Sequence, residues 1–225
     1  MPNIVPIQPM FQLEVMSAQQ LAEIRAATLH VLEHVGVHFP SERALRIFAQ
    51  HGAKVDRESQ IVKLPPDLVM EAMGQAPRSF RLSGRVEGTA LVLDGSTYYF
   101  GTDGCGSRTL DLETGVERRS SKSDVAMMAW VSDYLSSVSF YWPMVSAQDY
   151  GFLAPLHELD ASFNNTVKHV QTETVMGEKP AEYAVRMAQV IAGDREQMRS
   201  SPPLSVLICT VAPLGQDPEG LSLIH

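Results

Sequence analysis

The second half of this sequence alternates between strand-like and helix-like segments, and this order constrains the fold more than any other feature. The strand-like runs are TYYF, VSFYWPMVS, VKHVQTET and PLSVLICTV. Helical segments follow them, beginning at Ser121, near Leu153, at Lys179 and at Asp217. Strands joined by helical crossovers form parallel sheets, so the order predicts an α/β fold. It corresponds to about four β/α units, half of a (β/α)8 TIM barrel, and a compact open α/β sheet is the alternative.

The first 95 residues predict short helices and hairpins instead. Ser17 stands three residues before Gln20, which is the spacing of a capping box at a helix start. Ser41 and Pro66 mark the starts of two further helices. Asp94-Gly95, between ALVL and TYYF, is a hairpin turn signal.

We therefore predict two domains. A small mixed helical and hairpin region occupies 1–95, and the first half of a β/α barrel occupies 96–225. The final helix begins at Asp217 and the sequence ends at SLIH, so we expect the barrel to be truncated.

Composition excludes several classes of function. The chain has 225 residues and a net charge of −8, which argues against a nucleic-acid-binding protein. The longest uncharged stretch, 200–216, contains three prolines, and the N-terminus lacks the pattern of a signal peptide, so we predict no membrane span. Cys105 and Cys209 have no CxxC spacing, which predicts neither a zinc site nor disulfides and favours the reducing cytoplasm.

Three glycines in YYFGTDGCG, residues 98–106, directly follow a strand. A P-loop needs a lysine and a Ser/Thr after its last glycine, and a dinucleotide-binding loop needs a helix there. Neither follows here, because the chain continues as SRT into a predicted hairpin. The loop is therefore a turn at the carboxyl end of the first barrel strand, where barrels bind substrates. Asp103 is its candidate ligand-binding residue, and the alternative is that the glycines serve only the backbone.

Aromatic and polar side chains at strand ends supply the other substrate-binding candidates. Phe100 and Tyr141 have aromatic faces of the kind that hold quaternary ammonium groups, and core packing is the alternative for both. Gln148 follows the second strand and Glu173 closes the third, with solvated loop groups as the alternative. Thr210 lies near the end of the predicted fourth strand.

No metal site or side-chain nucleophile is predicted. The histidines 30, 34 and 38 are four residues apart, but no carboxylate or cysteine completes a ligand set. The HExxH and GxSxG motifs are absent from the sequence.

Four ordered blocks of the sequence resemble the trimethylamine methyltransferase family. The blocks are GVHFPSERALRIFAQHGAKVDRESQIVKLPPDLVMEAMGQAPRSFRL, YYFGTDGCGSRTLDLETGVERRSSKSDVAMMAWVSDYL, HELDASFNNTVKHV and PPLSVLICTVAPLGQDPEGL. The resemblance implies a β/α barrel enzyme that moves a methyl group to the cobalt of a corrinoid protein. The methyl donor is a methylated amine, either trimethylamine or a quaternary amine such as glycine betaine.

The resemblance also implies a cofactor and a partner. The corrinoid, of the cobalamin type, is carried by a cognate partner protein and is not covalently bound, and we assign Gly101 and Gly104 to contact with it. The nucleophile is then the partner's cobalt, so we assign no catalytic side chain. We expect a cytoplasmic homo-oligomer.

Family members are about twice as long as this chain, which leaves two alternatives for its function. One is a catalytically incomplete fragment that acts as a half-barrel association module. The other is an unrelated TIM-barrel hydrolase or lyase.

Overall fold

The structure is a computed structural model that describes residues 4–11 and 13–224. Within these residues the α-helices are α1 (Ala18–His34), α2 (Glu42–Gln50), α3 (Pro66–Gln75), α4 (Lys122–Tyr134), α5 (Ala154–Asn165), α6 (Glu178–Ala192), α7 (Arg195–Ser200) and α8 (Pro218–Ile224). The strands are β1 (Val37–His38), β2 (Lys54–Asp56), β3 (Ile61–Lys63), β4 (Phe80–Leu82), β5 (Leu91–Leu93), β6 (Phe100–Gly101), β7 (Arg108–Leu110), β8 (Glu117–Arg119), β9 (Val138–Tyr141), β10 (His169–Thr172), β11 (Leu204–Val206), β12 (Thr210–Val211) and β13 (Gly215–Gln216). A 3₁₀ helix, Gln148–Leu153, precedes α5.

The described chain forms two compact units, and neither is continuous in sequence. The large unit contains residues 4–9 and 79–207, and the small unit contains residues 10–11, 13–78 and 208–224. The division into domains 1–95 and 96–225 stays a prediction.

In the small unit, local signals place the helix starts where the sequence predicts them. The Ser17 amide donates to Gln20 Oε1 at 2.9 Å, which forms the capping box of α1. Ser41 Oγ accepts from the Ala44 amide at 3.3 Å and caps α2. The hairpin of β2 and β3 joins a five-stranded sheet in the order β12-β13-β1-β3-β2.

In the large unit, four strands form a parallel sheet whose order follows the chain. The order is β6-β9-β10-β11, and every neighbouring pair is parallel. Helix α4 lies in the crossover from β6 to β9, α5 in the next, and α6 and α7 in the last. This confirms the mixed α/β class and the parallel sheet that the alternating pattern predicts.

The hairpin pairing that Asp94-Gly95 predicts between ALVL and TYYF is wrong. The ALVL run pairs with SFRL, Leu91 opposite Leu82, whereas Phe100, the last residue of TYYF, begins β6 of the parallel sheet. The Asp94-Gly95 turn is satisfied locally, since Asp94 Oδ1 accepts from both the amide and the hydroxyl of Ser96. Such a self-contained turn does not need the strands beside it to pair.

The run PLSVLICTV is also not one strand. Its first part forms β11, and Thr210 lies in β12, in the sheet of the small unit. The ladder with β10 ends where the Leu207 amide donates to Thr172 O, because β10 itself ends at Thr172. Thr210 therefore does not belong to the parallel sheet.

A layer of helices covers the parallel sheet and forms the core. Val125 of α4, Ala161 of α5 and Val145 after β9 belong to one buried cluster. No helix among the described residues combines the length and apolar character required to span a membrane.

Candidate functional site

Two sequence-predicted carboxylates interact at the carboxyl ends of the parallel strands. Asp103 follows β6 and Glu173 follows β10. Burial raises the pKa of Glu173, and the charges of Asp103 and then Glu158 raise it further, while the backbone of Cys105 partly offsets the rise. The effect of the Asp103 charge on Glu173 indicates that the two carboxylates lie near each other.

The third carboxylate, Glu158 on α5, is fully buried. Its Oε1 accepts from Ser146 Oγ at 2.6 Å and from the Ala147 amide at 3.2 Å. Its Oε2 accepts from Thr174 Oγ1. Both oxygens of Glu158 therefore accept hydrogen bonds, so the buried carboxylate is satisfied within the chain.

Cys105 lies beside these carboxylates as a protonated thiol. Burial, the charge of Glu158 and the charge of Glu173 together raise the pKa of Cys105 to about 12. A thiol with this pKa is a poor nucleophile at neutral pH.

The electrostatic character of the site is negative. No lysine or arginine of the described residues forms an ion pair with Asp103, Glu158 or Glu173. A bound cation would relieve the repulsion between the carboxylates, so the arrangement suits a positively charged ligand.

The glycines of the loop allow the ends of β6 and β9 to approach closely. A Cβ on Gly104 would lie 1.8 Å from Pro143 O, and one on Gly101 would lie 2.3 Å from Phe140 Cζ. The Pro143 backbone thus occupies the space beside Gly104, and the Phe140 ring occupies the space beside Gly101, so close packing accounts for both glycines. Contact of Gly101 and Gly104 with a cofactor stays a prediction.

Within the described residues, the other three predicted residues, Phe100, Tyr141 and Gln148, form no hydrogen bond with Asp103, Glu158 or Glu173. Tyr141 is fully buried, and its hydroxyl donates to Val125 O of α4 at 3.0 Å. Burial raises the pKa of Tyr141. Its ring packs in the core, which is the alternative stated for this residue.

Phe100 is 56% exposed on β6. Gln148 Oε1 accepts from Arg119 Nη2 at 3.3 Å, which ties the 3₁₀ helix to β8. Substrate contact by Phe100, Tyr141 and Gln148 stays a prediction.

Sequence reasoning missed Glu158 and its donors, Ser146 and Thr174. The sequence does contain a signal for Glu158, which lies four residues after Ala154 and three before Ala161, on the buried face of α5. A charged residue on the apolar face of a helix is costly unless it is hydrogen-bonded, and is therefore worth examining.

The large unit also contains a groove away from these carboxylates. It measures about 640 Å³, lies between the hairpin β7–β8 and helix α4, and is lined by residues such as Leu112, Met127 and Val131. None of the three carboxylates lines it. Within the described part of the chain, no three His, Cys, Asp or Glu side chains are grouped so that they could hold a metal ion.

The fold and the site together define an α/β protein with an acidic site at the carboxyl ends of a parallel sheet, and sequence comparison identifies its family. The family model for "Trimethylamine methyltransferase (MTTB)" matches residues 2–224, so the chain belongs to the trimethylamine methyltransferase family. This confirms the resemblance and leaves the unrelated hydrolase or lyase without support.

Named relatives of the chain are methyltransferases. Trimethylamine methyltransferase MttB of Desulfitobacterium hafniense (strain DSM 10664 / DCB-2) is 34% identical over 205 residues, which is 91% of this chain and 41% of the relative. Trimethylamine methyltransferase MttB2 of Methanosarcina mazei is 30% identical, covering 90% of this chain and 42% of the relative. The glycine betaine methyltransferase of Desulfitobacterium hafniense (strain Y51) is 26% identical with the same coverage. The chain thus spans about two fifths of the length of these curated relatives.

Proposed function

We propose that this chain carries the amine-binding part of a methyltransferase that moves a methyl group from a methylated amine to the cobalt of a corrinoid protein. Membership of the family supports the reaction class. The observation that carries the choice of substrate is the acidic site, in which Asp103 and Glu173 repel each other and form no ion pair among the described residues.

The substrate is trimethylamine or a quaternary amine such as glycine betaine, and both names occur among the relatives. A unit positive charge about 4 Å from a carboxylate gains about 4 kcal/mol at the effective dielectric constant of a protein surface. A quaternary amine leaves as a neutral tertiary amine, so its departure requires no general acid. A protonated Cys105 is compatible with such a site, because no side-chain nucleophile is needed.

The corrinoid, carried by a cognate partner protein, supplies the cobalt that accepts the methyl group. The chain's own residues would bind the amine, exclude water and orient one methyl group toward the partner. Because Phe140 and Pro143 fill the space beside Gly101 and Gly104, these glycines offer no cradle for a resident cofactor. Their contact with the partner's corrinoid would be through the backbone, and we propose no covalent attachment.

For the architecture, we propose half of a TIM barrel in which residues 96–225 form the barrel part and 1–95 a cap. The chain-ordered parallel sheet supports this. We also propose a cytoplasmic homo-oligomer, with two free cysteines as the support for a reducing compartment.

The test is methyl transfer, measured by the absorbance change when a reduced cognate corrinoid protein is methylated. We expect transfer from trimethylamine or glycine betaine, and a loss of about tenfold or more in rate for Glu173→Gln, which removes charge with little change in shape. Lys179→Met, on the exposed face of α6, is the control and should leave the rate unchanged. Absence of methylation with every methylated amine would contradict the proposed activity of this chain.

The second candidate is a catalytically incomplete half-barrel that only binds and associates. The chain's coverage of two fifths of its relatives favours it. This candidate predicts binding of tetramethylammonium by the chain without methyl transfer, which calorimetry and the transfer assay distinguish.

A further inference from the structure

Glu158 connects the two loops that frame the acidic site, although the amine-binding proposal does not use it. Ser146 and Ala147, which donate to its Oε1, belong to the segment after β9. Thr174, which donates to its Oε2, belongs to the segment after β10. One fully buried carboxylate thus joins the ends of two neighbouring parallel strands.

The position of Glu173 depends on this connection. Glu173 stands between Thr172, the last residue of β10, and Thr174. The Thr174 amide donates to Thr172 Oγ1 at 3.4 Å, and the two hydroxyls lie 3.3 Å apart. Displacing Glu173 would therefore break the bond between Thr174 and Glu158, leaving a buried carboxylate oxygen without its donor.

We propose that Glu158 is a positioning residue, which holds Glu173 at the carboxyl ends of the strands in the geometry that binds the positive charge of the amine. Glu158 does this without contacting the amine, because its own oxygens are taken up by Ser146, Ala147 and Thr174. This inference rests on the proposed function.

The charge of Glu158 also acts on the titratable groups around it. Burial is the largest cause of the raised pKa values of Cys105 after β6, Tyr141 of β9 and Glu173 after β10, and the charge of Glu158 raises each of them further. Asp103 adds to the effect on Glu173. Cys105 is thus an internal reporter of the charge on Glu158, independent of methyl transfer.

A double-mutant cycle tests the positioning role, with tetramethylammonium binding to the full chain measured by calorimetry. We expect Glu173→Gln to weaken binding about tenfold and Glu158→Gln about fivefold. In the Glu173→Gln background, Glu158→Gln should add less than about twofold, because it acts through Glu173. Fully multiplicative losses would overturn the positioning role.

Alkylation of Cys105 by iodoacetamide across a pH series supplies a second readout, in a Cys209→Ser background. Glu158→Gln removes a charge that raises the thiol pKa, so alkylation should become faster and its pH profile should shift downward. Ser146→Ala is the matched control. It removes a donor to Glu158 and keeps the charge of Glu158, so it should not accelerate alkylation. Acceleration in both variants would mean that the loops merely loosen, and would overturn the inference.

If Glu158→Gln does not fold, the Ser146→Ala/Thr174→Val double variant replaces it in the binding experiment. This variant removes two hydrogen-bond donors to Glu158 and keeps the carboxylate. It should weaken tetramethylammonium binding about threefold or more. Unchanged binding would overturn the positioning role. If instead Glu173→Gln itself leaves tetramethylammonium binding unchanged, the proposed function fails. If Glu173→Gln weakens binding and Glu158→Gln does not, only the positioning role of Glu158 fails.

Discussion

The absence of a side chain at Gly104 shapes the acidic site, and the loop that carries Asp103 depends on it. A Cβ there would lie 1.8 Å from Pro143 O, a backbone atom that cannot turn aside. We therefore expect Gly104→Ala to lower the free energy of unfolding by about 2 kcal/mol or more. Urea denaturation measures this loss.

Gly106→Ala, two residues further on, is the matched control. Its Cβ would meet Met144 O at 3.4 Å, an ordinary contact. We expect a change within about 1 kcal/mol, in either direction. Equal losses for the two variants would show that the close approach to Pro143 is not the cause.

The pairing of Asp124 with Arg118 predicts a stability change with pH. Arg118 donates to both oxygens of Asp124, at 2.7 and 2.8 Å. This contact, followed by the hydrogen bonds from Ser121, lowers the pKa of Asp124 to about 2 from the ordinary 3.8. Because the folded-state pKa is depressed, the stabilisation is present above pH 3.8 and is lost as the pH falls toward 2.

We therefore expect Asp124→Asn to lower the melting temperature by a few degrees at pH 7, and by much less near pH 2. Calorimetry at a series of pH values measures the difference. Glu117→Gln, which breaks an exposed ion pair with Arg108, is the control and should change the melting temperature little at any pH. A loss from Asp124→Asn that is the same at pH 2 and pH 7 would refute the role of the charge.

Single residues also define what could be predicted about the site. Asp103 and Glu173 follow from one rule, that the carboxyl ends of parallel strands meet at one edge. Tyr141 is also the last residue of a parallel strand, β9. Its side chain nevertheless points toward α4, where its hydroxyl donates to Val125 O. The direction of a side chain depends on the register of the sheet and on which face the helix covers, and neither is visible in a short run of aromatic residues.

At the scale of elements, a buried lysine joins α4 to the sheet. Lys168, just before β10, is 1% exposed. Its Nζ donates to the carbonyl oxygens of Ser132, Leu135 and Val138, at 2.7, 2.8 and 2.6 Å. A cation at the carboxyl end of a helix also interacts favourably with the helix dipole.

We expect Lys168→Met to lower the free energy of unfolding by about 2–4 kcal/mol, because three carbonyls lose their common donor. Lys179→Met, at a side chain 75% exposed on α6, is the control. It should cost less than about 0.5 kcal/mol. A similar loss for both lysines in chemical denaturation would mean that the carbonyl contacts contribute nothing.

Helix starts are the elements that the sequence predicts best. Ser17, Ser41 and Ser121 each stand at the residue before a helix, because the caps act within four residues of chain. Strand pairing is predicted less well. TYYF pairs with β9 about 40 residues away rather than with its neighbour ALVL, because long-range packing decides the partner.

At the scale of the whole chain, the parallel sheet has two strands with a neighbour on one side only. Within the described residues these are β6 and β11. Unpaired strand edges promote association with another chain. We expect the protein to have, by light scattering, a mass above that of one chain of 225 residues. A folded monomer over the whole concentration series would contradict the proposed homo-oligomer.

The sequence by itself determined the α/β class, the parallel order of the strands, the capped helix starts and the family. These depend on periodicity, on caps and on ordered blocks of residues, all of which are local or linear properties. Only the tertiary structure decided that β4 pairs with β5, that Gly104 lies against Pro143 and that Tyr141 belongs to the core. It also revealed Glu158 as the link between two loops. Each of these depends on residues that are distant in sequence and become neighbours only when the sheet and its helices pack.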